Sequence, residues 1–253
     1  MKTIILGLAV IFLSVNAQAS TYTEKRELNI NAKGIQVLNI LCGAGALVVE
    51  GNERQDIMVE AEIEIEGMSD KKAQEFIKDK IELSLETKGN IAYLRCKIND
   101  SVWRFKDARV NLFVTLPPYL NLKVEDGSGS IRLRYVDGDV DINDGSGSIE
   151  VSDTKGDLSI VDGSGGIDVR NSQGDVTIKD GSGGISTEKI SGNLTVVDGS
   201  GSIEVRGVVG NVLIKDGSGS MDIYDVEKDV TIESDGSGSC NISGVKGRVV
   251  RRD

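Results

Sequence analysis

Along the second half of the chain, apolar and polar residues alternate with a period of two, and the alternation restarts every eighteen residues. Each unit opens Asp-Gly-Ser-Gly, at Asp126, Asp144, Asp162, Asp180, Asp198, Asp216 and Asp235; the first six starts are eighteen residues apart, the last follows after nineteen. Counted from that Asp, position 6 holds Ile131, Ile149, Ile167, Ile185, Ile203, Met221 and Cys240. Position 8 is apolar except at Thr187, position 15 is apolar throughout, and position 17 is apolar until Arg251. Between positions 6 and 8 stand Arg132, Glu150, Asp168, Ser186, Glu204, Asp222 and Asn241, all polar. Alternation of this kind, rich in β-branched residues, predicts strands with one dry face. Each unit supplies two, near positions 5–9 and 14–18, divided by glycine turns. Eighteen residues leave no room for a helical crossover, and one unit cannot bury its apolar face alone. The pattern predicts an all-β chain, a parallel β-solenoid (β-helix- or β-roll-like) of stacked eighteen-residue coils.

The segment before the repeats alternates less regularly. Ile57, Val59, Ala61, Ile63 and Ile65 are interleaved with glutamates, and Val110, Leu112, Val114 and Leu116 precede Pro117-Pro118. One interruption predicts a helix near residues 70–80, with Ser69 as N-cap and Ala73, Phe76 and Ile77 on one face. Residues 20–125 are therefore read as an irregular capping region of the same rod, and residues 126–253 as seven regular coils. Ahead of both, Met1-Lys2, the apolar run from Ile4 to Leu13 and Ala17-Gln18-Ala19 read as a signal peptide spanning residues 1–19. The run is short of the roughly twenty apolar residues needed to span a bilayer. The expected address is extracytoplasmic, periplasmic or secreted, with no membrane insertion after cleavage.

The formal charge is −11, and −12 without Lys2. An acidic body repels phosphate backbones, so nucleic acid is not an expected partner. The chain has no histidine, which excludes catalytic triads and zinc sites that need imidazole. Of the three cysteines, Cys42 and Cys96 continue inward-facing alternations, and an oxidising compartment permits either a disulfide between them or two buried thiols. Cys240 stands in for a position-6 isoleucine.

The column Asp126, Asp144, Asp162, Asp180, Asp198, Asp216 and Asp235 is the sharpest candidate for chemistry. Stacked at ~4.8 Å, neighbouring carboxylates repel by roughly 3–4 kcal/mol at an effective dielectric of 20. Two arrangements offset this. Each carboxylate can close an Asx-turn by accepting the N–H of the Ser two residues on, or a row of Ca²⁺ ions can bridge the coils, as in a calcium-binding β-roll. Aligned on the β-roll nonapeptide, however, Ile167 falls where the ligand aspartate belongs. No metal or other cofactor is expected, and the column is read as structural turn residues. A second column at position 14, Asp139, Asp157, Asp175, Asn193, Asn211 and Asp229, reads as solvated turns. Paired carboxylates of a glycosidase recur between every two coils and pick out no single site. Chemical variety is concentrated at Trp103, Arg104 and Phe105, with Tyr93, Phe113 and Tyr119 in the same region, and these are the candidate ligand contacts.

The block Val110-Asn111-Leu112-Phe113-Val114-Thr115-Leu116-Pro117, followed by Asp-Gly-Ser-Gly-Ser-Ile units alternating with Gly-Asp-Val-x-Ile, resembles a bacterial envelope family. These are adhesin-type β-strand-repeat domains of unknown function, related to the head (GIN) domain of auto-transporter adhesins. The resemblance covers roughly residues 30–253 and implies a secreted or periplasmic β-solenoid without catalytic residues. The expected role is a non-enzymatic binding or structural module meeting an envelope carbohydrate or protein through acidic columns and an aromatic end. A solenoid-type polysaccharide-processing enzyme and a calcium-binding β-roll-like module are the alternatives.

Overall fold

The computed structural model describes residues 21–43, 45–99 and 108–252. The signal segment and Trp103, Arg104 and Phe105 lie outside the described residues. The rest folds as a parallel β-solenoid of two sheets, so each coil has two sides.

Before the repeats come β1 (Thr21–Asn31), β2 (Val37–Leu41), β3 (Gly45–Gly51), β4 (Asp56–Glu66), helix α1 (Asp70–Lys80), β5 (Ile81–Lys88), β6 (Ile91–Ile98) and β7 (Ala108–Leu116). The repeats add to the first sheet β9 (Gly129–Arg134), β11 (Gly147–Thr154), β13 (Gly165–Ser172), β15 (Gly183–Ile190), β17 (Gly201–Val208), β19 (Gly219–Val226) and β21 (Cys240–Ser243). To the second they add β8 (Asn121–Asp126), β10 (Val140–Asp144), β12 (Leu158–Asp162), β14 (Val176–Asp180), β16 (Leu194–Asp198), β18 (Val212–Asp216), β20 (Val230–Asp235) and β22 (Val249–Arg251). The first sheet runs β1-β4-β7-β3-β9 and onward by odd strands to β21; the second runs β5-β6-β2-β8-β10 and onward by even strands to β22. At ~4.8 Å per step, eleven strands make a stack roughly 48 Å long.

Positions 6 and 8 face positions 15 and 17 across the interior. Ile149, Val151, Leu158, Ile160 and their equivalents in the first six repeat coils are buried, and each such apolar side chain contributes about 1.5–3 kcal/mol. The register is strict, with Ile149 beside Ile167 and Ile142 beside Ile160. Glycine at position 4 is obligatory. Gly147 has φ +139, and a Cβ there would lie 1.7 Å from the carbonyl oxygen of Gly129 in the coil below. The nineteen-residue step is a bulge: Ile214 pairs Ile232 but Lys215 pairs Ser234, leaving Glu233 as the extra residue.

The far corner of each coil turns through a left-handed residue at position 10, Tyr135, Asp153, Asn171, Lys189 and Asp225, with φ between 55 and 60. Gly207 and Gly244 take the same place. This residue breaks the two-residue period and brings position 11 inward, so Val136, Thr154, Ser172, Ile190, Val208 and Val226 form a further buried column. Within it the Thr154 hydroxyl donates to Ser172 Oγ at 3.0 Å.

The capping region departs from sequence order. β2 and β3 make one coil, and it lies between the first repeat coil (β8–β9) and the coil made of β6 and β7, more than forty residues later in the chain. The expected continuous run of coils is thus interleaved. Outside β7 the first sheet ends with antiparallel β4 and β1, and outside β6 the second ends with antiparallel β5. The helix forms where the apolar spacing places it, burying Ala73 and Ile77. Ser69 is its N-cap residue by position, but the side chain makes no capping hydrogen bond.

Candidate functional site

Two polar columns run along the stack, one closing the turns within coils and one bonding each coil to the next. In the first, Asp144, Asp162, Asp180, Asp198 and Asp216 each accept through Oδ1 the N–H of the serine two residues on, at 3.1–3.4 Å. Asp126 accepts from Gly127 N at 2.9 Å. These side chains point into the sandwich, because positions 15, 17 and the next Asp share one parity along the strand. Asp126 to Asp216 are 1–8% exposed, so the rod does not display this column as an acidic surface. Burial, and then repulsion from flanking carboxylates, lifts Asp144 and Asp198 to about 6. Burial raises Asp126, Asp162, Asp180 and Asp216 as well.

Cys42 continues this column. Leu41 pairs Glu125 and Arg95, which puts Cys42 beside Asp126 and next to Cys96. The segment Cys42-Gly43-Ala44-Gly45 is a degenerate Asp-Gly-Ser-Gly start. All three thiols are free. Burial pushes Cys96 up to about 11, and burial with the Asp126 carboxylate raises Cys42 further.

The second column, at position 14, is exposed but not merely solvated. Asp139 Oδ1 accepts the N–H of Asp157 in the next coil at 3.0 Å, Asp157 that of Asp175 at 2.9 Å, and Asp175 that of Asn193 at 2.8 Å. Asn121 starts the ladder and Asp229 ends it on the Arg248 N–H. Asn or Asp is needed because the oxygen must sit two bonds beyond Cβ, farther out than a serine hydroxyl.

The outer face of the first sheet carries the chemical variety. One outward column crosses the entire sheet in register: Glu27, Glu60, Phe113, Val48, Arg132, Glu150, Asp168, Ser186, Glu204, Asp222 and Asn241. Midway lies an open depression of ≈ 510 Å³. It exists because Gly166 and Gly184 stand at position 5, where the flanking coils have Ser148 and Ser202. Its floor and walls are these two serines, Glu150, Asp168, Ser186, Glu204 and Arg170. Arg132 Nε pairs Glu150 at 2.9 Å, Arg206 Nε pairs Glu204 at 2.6 Å, and Arg170 pairs Asp168. Asp168 is raised mainly by burial, against the pull of Arg170, and its Oδ1 has no partner. Fixed carboxylates, guanidinium forks and hydroxyls on one flat face are hydrogen-bonding groups suited to a polyhydroxylated or peptide ligand. At the capped end of the same face, Phe113, 45% exposed, lines a cleft of ≈ 200 Å³ with Lys25, Arg26, Glu27, Glu60 and Glu62.

Of the aromatic residues singled out from sequence, Phe113 lies on the outer face of the first sheet. Tyr93 is on the opposite sheet under Arg95, and the Tyr119 hydroxyl donates to the Ala32 carbonyl. They form no single cluster. The depression was missed, although the Ser-to-Gly changes at 166 and 184 are visible in the repeat. Among the described residues, no group of three or more Cys, Asp or Glu side chains is arranged to hold a metal, and no helix is long and apolar enough to cross a membrane.

These features define an all-β, two-sheeted solenoid with eighteen-residue coils. No family model matches the chain, and no curated protein matches it by sequence. Solved structures do. It is similar to a candidate lipid binding protein from Parabacteroides distasonis (14% identity, 90% of this chain and 96% of that one, TM-score 0.51). Candidate adhesins also match over most of their length: a cell adhesion protein from Clostridium sporogenes (14% identity, 91% and 100%, TM-score 0.38) and a protein from Bacteroides fragilis (12%, 93% and 100%, TM-score 0.44). At these identities the likeness concerns the fold.

Proposed function

We propose that this chain is a non-enzymatic, extracytoplasmic binding module of the bacterial envelope, holding a carbohydrate or protein partner along the outer face of its first sheet. The observation that carries the reading is the in-register column from Phe113 to Asp222, with the Gly166–Gly184 depression at its middle. A solenoid repeats one surface, so it suits a partner that is itself extended and repetitive. Among the seven repeats, Gly166 and Gly184 alone relieve the column of side-chain bulk at position 5, where the other five have serine. The arginine–carboxylate pairs hold donors and acceptors in place before a partner arrives, which lowers the ordering cost of association.

The test uses substitutions that fill the depression without straining the chain. A Cβ at Gly166 meets nothing within 4 Å, and one at Gly184 only Ser202 Oγ at 3.6 Å. Gly166→Trp and Gly184→Trp should leave the melting temperature unchanged and weaken binding of soluble envelope polysaccharides or envelope proteins by about tenfold or more. Unchanged binding in both variants would move the partner off this face. Release of reducing ends from a polysaccharide, lost in Asp168→Asn, would instead make the chain a polysaccharide-processing enzyme.

A further inference from the structure

The aspartates inside the solenoid are left half-satisfied in the first six of the seven repeat coils. Each uses one oxygen to close its turn, and the other, Oδ2 of Asp126, Asp144, Asp162, Asp180, Asp198 and Asp216, is buried without any hydrogen-bond partner. These residues are 1–8% exposed, and they stack in register one per coil. None of the ion pairs among the described residues includes a member of the column. From the second sheet itself, the titratable groups acting on it are its own neighbours, with Cys42 and Cys96 at one end and Asp235 at the other. From the facing sheet come glycines such as Gly147 and Gly165 and apolar side chains such as Ile149 and Ile167, none of them charged. A row of buried anions without a counter-charge is costly, while a neutral carboxylic acid in the same place leaves only one unpaired hydroxyl.

We propose that this column is a proton-loaded spine, whose carboxyls take up protons in mild acid and thereby make the solenoid firmest there and looser as the pH rises. The sign follows from linkage. The folded-state values lie above the ordinary 3.8, at about 6 for Asp144 and Asp198. The native state therefore binds more protons than the unfolded chain between these values. Its extra stability is fully present below 3.8 and is lost as the pH rises through about 6. Most proteins held by exposed, paired carboxylates behave the opposite way, losing stability on acidification. The spine is internal and independent of the outer binding face, so the two proposals stand or fall separately.

The test is thermal unfolding of the mature chain from about pH 4.5 to about pH 7.5 at constant ionic strength, with carboxyl ¹³C titration of the aspartates by NMR. The melting temperature should fall by about 5 °C or more across that range. The Asp144 and Asp198 midpoints should lie near 6, and those of the other column members above 3.8. The double variant Asp162→Asn, Asp180→Asn keeps a side-chain oxygen for each turn but cannot ionise, and its melting temperature should depend less on pH. If that variant does not fold, the ¹³C midpoints of the unaltered chain decide. A melting temperature that is flat or rises toward neutral pH, or midpoints all near 4, would overturn the proposal. So would stoichiometric Ca²⁺ uptake that stabilises the chain and is reversed by EDTA, because cations rather than protons would then neutralise the column.

Discussion

The repeat stack and the capping region are built from the same coil and obey different rules of order. In residues 126–252 each coil lies on the one before it in sequence, and the eighteen-residue period alone sets who pairs with whom. In residues 21–125 the coil of β2 and β3 is completed first, yet a later pair of strands, β6 and β7, closes over its far side. Cys42, Gly43 and Gly45 stand over Asp126, Gly127 and Gly129, with Ser128 Oγ donating to the Gly43 carbonyl at 3.0 Å. Proximity in sequence is therefore sufficient but not necessary for stacking. What a coil requires is a matching edge. The antiparallel strands β1, β4 and β5 then do what no repeat does, and turn the pairing antiparallel where the stack ends on the capped side.

The sharpest way to break this comparison is by deletion. Removing residues 162–179, one whole coil, should leave a folded rod one rung shorter, because β11 then meets β15 in unchanged register. Removing residues 37–51 should unfold or aggregate the protein, because it takes out the coil that joins cap to stack. Circular dichroism melts and the radius of gyration from small-angle scattering would show it, and equal stability of the two deletions would refute the distinction. Next in size, Ile167→Asp should cost about 4 kcal/mol or more in denaturant titration, since it buries a charge with no partner. Gly165→Ala comes third. With φ +142 and a Cβ 1.6 Å from the Gly147 carbonyl oxygen, it should lose about 2–3 kcal/mol. Its neighbour Gly166→Ala should change stability by less than about 0.5 kcal/mol. Smallest, Lys189→Gly should stabilise by about 0.5–1 kcal/mol, since its φ of 59 is the conformation that Gly207 supplies one coil on. A loss of stability there would mean that the left-handed corner is held by the side chain rather than tolerated by it.

Much of this was legible in the sequence, and the gaps have physical causes. Ile149, Val151, Leu158 and Ile160 announced the dry interior because period two is all a strand needs. Ala73 and Ile77 announced the helix by their spacing. The inward aim of Asp144 was also written in the parity of Val140, Ile142 and Asp144, but a carboxylate beside glycine and serine reads as an exposed turn. Position 11 was not legible, because the left-handed residue before it breaks the period. The interleaved capping coil was hidden for a different reason: Cys42 and Ala44 replace the Asp and Ser that mark a coil start, and no local rule says that a strand will wait for a partner fifty residues away.

The position-14 ladder gives the stack a direction. Every Asn or Asp in it offers its oxygen to the N–H of the coil that follows, never to the one that precedes. Each coil thus holds an acceptor in place for the backbone of the next coil in sequence, so the ladder has a polarity that runs with the chain. The first acceptor is Asn121, and its coil rests on the capping coil of β2 and β3.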